Sequence, residues 1–128
     1  MGNFTFVLTL TLKLMVLSGV SLFVLQDWDR ADGETVRLAP GAVPNIRTAV
    51  GQELDRRGCS IPQSFSIKVP HNVIRGRFTP SSQHDVAVLC SRDRVSSILV
   101  FRGGLPSSVE ELGSGPDKDY LQDILETG

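Results

Sequence analysis

The spacing of apolar positions in this 128-residue chain changes along its length, and each change marks a predicted element. Between Pro44 and Gly58 the apolar residues recur at steps of three and four, as Ile46, Ala49, Val50 and Leu54. A proline suits the first position of a helix, and a glycine suits the residue after its end. The spacing therefore predicts an amphipathic helix over this segment.

After the helix the period falls to two, which is typical of strands. The segments "FSIKV" (65–69) and "VIRGRF" (73–78) alternate apolar and polar residues and predict half-buried strands. The segments "DVAVLC" (85–90) and "SSILVF" (96–101) are largely apolar at successive positions, so we expect central strands covered on both faces. The polar segments "TPSSQH" and "SRDRVS" are short, which favours antiparallel hairpins over crossovers.

The C-terminal part predicts a loop followed by a short helix. Glycine, serine and proline interrupt "GGLPSSVEELGSGP", whereas Pro116 can open a helix with an apolar stripe at Leu121, Ile124 and Leu125. The predicted fold is α+β: a small antiparallel meander of three to four strands, one helix before it and a short C-terminal helix. We assign residues 26–43 to a linker and 44–128 to this domain, which either ends with the helix or continues in further sequence.

The first 25 residues hold a single charge, Lys13, and no acid, and a charged segment follows them. The uncharged residues 14–25 fit the apolar centre of an export signal. Residues 4–25 are also long enough to span a bilayer as a retained anchor, and a buried core segment is a third interpretation. We favour the export signal, which predicts a secreted or periplasmic protein, with membrane anchoring as the alternative.

Cys59 and Cys90 are the only cysteines. Two cysteines in a small exported domain predict a disulfide, because thiols pair and remain paired outside the reducing cytoplasm. The alternative is two separate buried thiols, since Cys90 lies within an apolar run. Two cysteines without nearby histidines do not suit zinc, and we expect no metal site and no cofactor.

Charge is distributed unevenly along the chain. Residues 56–102 hold eight cations and two anions, whereas the residues beyond Gly103 hold six acids and one lysine. Four arginines on predicted strands and turns form the candidate ligand-binding set: Arg75, Arg77, Arg92 and Arg94. Guanidinium groups suit an anionic polymer or an acidic protein surface, and the alternative is a solvated face partly neutralised by the acidic tail. Nucleic acid is a weaker choice because interleaved aromatic residues are absent.

The segment "GRFTPSSQHDVAVLC", followed by "SSILVF", resembles the FG-GAP or VCBS-type repeat of secreted and surface proteins. Residues 54–101 look like uncharacterised exported bacterial proteins that carry one such unit. The resemblance covers under half of the chain and implies structural turn positions at Gly76, Phe78 and Asp85. Repeats of this family often carry an Asp-rich calcium loop, but this turn offers only one carboxylate, so we expect Asp85 to accept backbone N–H groups instead.

The same turn contains the residue types of a hydrolase triad, namely Ser81, Ser82, His84 and Asp85. Neighbours on a tight turn point apart, whereas a triad needs the histidine between the nucleophile and the acid. No nucleophile elbow, phosphate-binding glycine loop or paired-histidine zinc motif occurs. We therefore assign no catalytic residues and expect an exported non-catalytic module, with a membrane-tethered or truncated hydrolase-like domain as the alternative.

Overall fold

The computed structural model describes residues 28–64, 67–80 and 84–119, and it confirms the α+β class. The helices are α1 (residues 28–34) and α2 (Thr48–Arg56), and short 3-10 turns occupy Pro40–Ala42 and Arg102–Gly104. The strands are β1 (Arg37–Leu38), β2 (Ile61–Pro62), β3 (Val73–Gly76), β4 (Asp85–Arg92), β5 (Val95–Phe101) and β6 (Val109–Pro116).

The main sheet is an antiparallel meander in the order β3-β4-β5-β6. Val86 lies opposite both Arg75 of β3 and Phe101 of β5, which fixes the register at one end of β4. Strands β1 and β2 form a second, two-stranded sheet, and a bridge between Ser60 and Ser91 connects it to β4. Short connections therefore place successive strands beside each other, as the polar linkers predicted.

Helix α2 begins later than predicted. Asn45 has a φ of 67°, which is incompatible with a right-handed helix, so Pro44 lies outside α2 and the helix starts at Thr48. Its C-terminal end agrees with the prediction, because Gly58 has a φ of 72° and the next N–H, that of Cys59, donates to the Leu54 carbonyl at 2.9 Å. This left-handed residue turns the chain back towards the sheet.

The core lies between α2 and one face of the main sheet. Val50 and Leu54 of α2 are fully buried against alternate residues of the central strands, Val86 and Val88 on β4 and Leu99 and Phe101 on β5. The predicted disulfide is confirmed: Cys59 and Cys90 are bonded across this core with their Cα atoms 5.1 Å apart. A disulfide indicates an oxidising, extracytoplasmic environment.

Two strand predictions were wrong. Residues 67–69 of "FSIKV" are not in a strand, and residues 65 and 66 lie outside the described residues. The fourth strand is instead β6, within the segment predicted to be a loop. Most of its side chains are exposed, because an edge strand is held by backbone hydrogen bonds to its neighbour and needs no apolar run.

The second face of the main sheet is less covered than predicted. Side chains from three of its strands remain partly exposed, namely Ile74 at 62 %, Ile98 at 39 % and Leu112 at 45 %. The apolar runs of β4 and β5 predicted cover on both faces, but α2 covers only one. Strand residues alternate between the faces, so Ile98 turns away from the helix while Leu99 faces it.

The segment assigned to a linker packs on the domain. Pro40 and Val43 are buried, and the carboxylate of Asp32 on α1 is largely shielded from solvent. The predicted C-terminal helix begins with helical residues 117–119, and its apolar stripe lies outside the described residues, as does the predicted leader. Within the described ranges, no helix is both long and apolar enough to cross a membrane.

Candidate anion-binding site

A cavity of about 290 Å³ lies at the N-terminal end of α2, where β3 ends and β4 begins. Three arginines and a histidine contribute to its wall. The lining residues are Arg47, Arg75, Gly76, Arg77, His84, Asp85 and Val86. The formal charge of the lining is positive because three guanidinium groups face one carboxylate.

Two regions place the arginines around this cavity, the end of β3 and the start of α2. Arg75 lies directly opposite the core residue Val86, so its side chain projects from the face of the sheet that α2 covers. Arg77 follows two residues later, and alternate residues of an extended chain lie on the same side. Arg47 comes from the N-cap position of α2. A Cβ atom built on Gly104 would lie 3.7 Å from Arg47 Nη1 and 3.3 Å from the His84 carbonyl oxygen, which places this guanidinium beside the start of β4.

Asp85 is fully buried, and its carboxylate connects the segments that form the cavity wall. Its Oδ2 atom accepts hydrogen bonds from the N–H groups of Phe78 and Thr79, both at 2.8 Å, and from Thr79 Oγ1 at 3.0 Å. Its Oδ1 atom accepts the Gly103 N–H at 2.8 Å. One carboxylate thus joins the loop after β3, the start of β4 and the turn after β5, which stabilises the cavity wall.

Gly76 allows the Phe78 ring to fold back over the end of β3. A Cβ atom at Gly76 would lie 2.7 Å from Phe78 Cε1 and 3.0 Å from Cζ, both shorter than van der Waals contact. The glycine and phenylalanine of the family-like pattern therefore pack against each other, beside the loop that Asp85 holds.

The structure separates the four arginines predicted as one set. Arg75 pairs with Val86, and Arg92 lies six residues further along β4, about 20 Å away at the rise of a strand. Arg92 donates to the Glu111 carboxylate and to Ser97 Oγ, and the Arg94 guanidinium lies 2.9 Å from Asp32 Oδ2. These two arginines are engaged in ion pairs at the opposite end of the sheet.

Arg47 lines the cavity, whereas the predicted Arg92 and Arg94 do not, and the sequence analysis did not identify Arg47 as a site residue. Its side chain and that of Arg75 are exposed, and neither makes a hydrogen bond or ion pair within the part of the chain that the structure describes. Nothing in the spacing of Arg47 and Arg75 connects them, because they approach only through the packing of α2 on the sheet. The α2 N-terminus adds a partial positive charge to the same region.

The mostly exposed Arg94 side chain pairs with Asp32 at the edge of a largely buried ion-pair cluster that fastens the N-terminal part to the sheet. Asp117 accepts hydrogen bonds from Ser91 Oγ at 2.7 Å, Ser96 Oγ at 2.6 Å and Arg37 Nη2 at 2.7 Å. Burial by itself raises the pKa of Asp117, but these hydrogen bonds and the positive charge of Arg37 hold it below its ordinary value. The side chains of this cluster satisfy one another's hydrogen-bonding groups, so we assign the cluster a structural role.

Arg37 also contacts Asp32 Oδ1 at 2.5 Å. Burial alone lowers the pKa of Arg37, but hydrogen bonds and charge from Asp117 and Asp32 raise it above its ordinary value. The guanidinium therefore stays charged between two carboxylates, which fixes β1 beside the end of β6.

Ser64 lines a second surface cavity, of about 370 Å³, beside the loop after β2, and it contacts His71. Ser64 Oγ lies 3.1 Å from His71 Nε2, but the same nitrogen accepts the Ser64 N–H at 2.8 Å. His71 Nδ1 must then carry the proton, which it donates to the Val69 carbonyl at 2.8 Å. Because the backbone amide already uses the Nε2 lone pair, this histidine orders a loop and is poorly placed to accept a proton from Ser64.

No group of three or more His, Cys, Asp or Glu side chains in the described ranges is arranged to hold a metal ion. Comparison with known proteins finds no matching family model, no matching curated sequence and no matching solved structure. The resemblance to the FG-GAP and VCBS-type repeats stays a prediction.

Proposed function

We propose that this protein is an extracytoplasmic, non-catalytic module that binds anionic groups in the cavity formed by Arg47, Arg75, Arg77 and His84. The supporting observation is that three arginines meet at one cavity, Arg47 from the start of α2 and Arg75 and Arg77 from the end of β3. Surface arginines elsewhere in the domain have nearby carboxylates, as at Arg92 and Arg102. At the cavity, Arg47 and Arg75 have no such partner among the described residues.

The cavity suits carboxylate or phosphate groups for a physical reason. A guanidinium presents planar N–H donors that match two oxygens, and a partly enclosed wall weakens screening by water. The oxygens of the buried Asp85 accept the backbone N–H groups of Phe78, Thr79 and Gly103, and the lining holds three guanidinium groups for this one carboxylate. A bound anion would therefore complete the charge balance of the site.

Binding to polyglutamate and to inorganic phosphate tests the proposal. Neutralising both unpartnered arginines, Arg47→Gln with Arg75→Gln, should weaken binding at low salt by at least about tenfold, because charge-assisted hydrogen bonds are lost. Arg56→Gln at the other end of α2 removes one charge and serves as the control, which should bind like the native protein. Equal binding by the double variant and the control would contradict the proposal.

Location is part of the same proposal. The disulfide and the apolar leader support secretion or a periplasmic location, with membrane anchoring through residues 4–25 as the alternative. Mass spectrometry of the mature protein tests this, because export with cleavage removes residues before about Gln26. A retained leader in membrane fractions would support the anchor instead.

The hydrolase-like alternative has less support. Ser64 and His71 are the only described serine and histidine within hydrogen-bond distance of each other, and the Nε2 atom between them is already an acceptor for a backbone amide. A fluorophosphonate probe should leave the protein unlabelled. Labelling at Ser64 that disappears in Ser64→Ala would restore this alternative.

A further inference from the structure

Strand β3 is an edge strand, and its outer side carries unpaired backbone groups. The Leu89 N–H donates to the Asn72 carbonyl at 3.0 Å, and the register continues with Ile74 opposite Ala87. Hydrogen-bonded pairs alternate in an antiparallel ladder, so Val73 and Arg75 direct their N–H and C=O groups away from β4. No described residue pairs with this outer side.

The side chains of β3 differ between its two faces. Arg75 and the following Arg77 lie on the face that lines the cationic cavity, whereas Ile74 projects to the other face and is 62 % exposed. An added strand would place its own alternate residues beside these side chains. Acidic residues would fit one face, and residues with apolar surface would fit the other.

We propose that the anionic partner is an extended acidic peptide segment that adds to β3 as a fifth strand. This inference rests on the proposed function, because the carboxylates of the segment would bind in the Arg47, Arg75 and Arg77 cavity. Backbone hydrogen bonds to Val73 and Arg75 would supply part of the affinity, and the alternation of acidic and non-acidic residues would supply specificity.

The length of the edge limits what can bind. Strand β3 runs from Val73 to Gly76, and the second sheet takes over the same side of β4 at Ser60. A partner of about five to seven residues is long enough to cover the edge at the rise of a strand. A folded acidic surface would reach the arginines but could not pair with the backbone of β3.

Two end-capped peptides of equal composition test the inference with the full-length protein. One alternates glutamate with threonine over about seven residues, and the other carries its glutamates in one block. We expect the alternating peptide to bind at least about tenfold more tightly, because two or more backbone hydrogen bonds form only in the correct register. N-methylation of its alternate amides facing β3 should remove that advantage.

Amide hydrogen exchange gives a local readout. The N–H groups of Val73 and Arg75 should become protected when the alternating peptide binds, while those of Ile74 and Gly76 are already paired with β4. Equal affinity for both peptides with no new protection would overturn β3 pairing while leaving anion binding intact. Loss of both peptide and phosphate binding in the native protein would instead contradict the proposed function.

Discussion

Removing the disulfide should strongly destabilise the domain while leaving the candidate site untouched. Cys59 and Cys90 are separated by 31 positions and lie in the core, 6 % and 0 % exposed. The loop-closure relation gives a stabilisation of about 3.7 kcal/mol for a loop of this length at room temperature. This is a large share of the free energy of unfolding of a typical domain, which is about 5–15 kcal/mol.

The variant Cys59→Ala with Cys90→Ala tests this magnitude. Alanine is preferable to serine because a hydroxyl at either buried position would need a hydrogen-bond partner. We expect the midpoint temperature to fall by about 15–30 °C, from a shift of about 4–8 °C for each kcal/mol in a domain of this size. Urea titration followed by circular dichroism measures the free energy of unfolding directly.

Reductant provides the control for this experiment. It should destabilise the native protein to a similar extent and leave the double alanine variant unchanged, since that variant has no disulfide to break. A native protein whose unfolding free energy changes by less than about 1 kcal/mol on reduction would refute the reasoning. It would also remove the strongest structural support for an oxidising environment.

Three further predictions concern the buried and charged groups. Asp85→Asn should destabilise the domain by about 2–4 kcal/mol in urea titration, because an amide cannot accept all the hydrogen bonds that the carboxylate accepts. The lowered pKa of Asp117 stabilises the folded protein fully above the unfolded-state pKa of about 3.9, and this stabilisation disappears as pH falls through the folded-state pKa. The difference in unfolding free energy between the native protein and Asp117→Asn should therefore shrink in acid. Hydrogen bonds from Arg56 and Arg57 lower the pKa of Glu53 to about 2, so an NMR titration should find Glu53 ionised at about pH 3, where an unperturbed glutamate is protonated.

The sequence predicted well those elements that are specified by their own side chains alone. The continuous apolar runs of β4 and β5, the apolar stripe of α2 and the stop at Gly58 depend on local sequence and on one glycine with positive φ. The disulfide could be expected from the number of cysteines and the predicted export signal alone. In each case the controlling interaction is local or is set by composition.

The predictions from sequence were wrong where the structure of a segment depends on a backbone partner or on a contact with a distant part of the chain. Strand β6 has mostly exposed side chains and forms because β5 offers its hydrogen-bonding edge. The segment 67–69 alternates like a strand but is not paired with any described strand. A period of two shows only that a segment could lie in a sheet, and pairing decides whether it does.

The candidate site divides in the same way. Sequence alone determined that cations are concentrated between residues 56 and 102 and that Arg75 and Arg77 share one side of a strand. Only the tertiary structure brought Arg47 to them and held Arg92 and Arg94 in ion pairs at the other end of the sheet. Charge is a property of each residue, but a cavity arises only when separate elements pack, so the site emerged from the docking of α2 on the sheet.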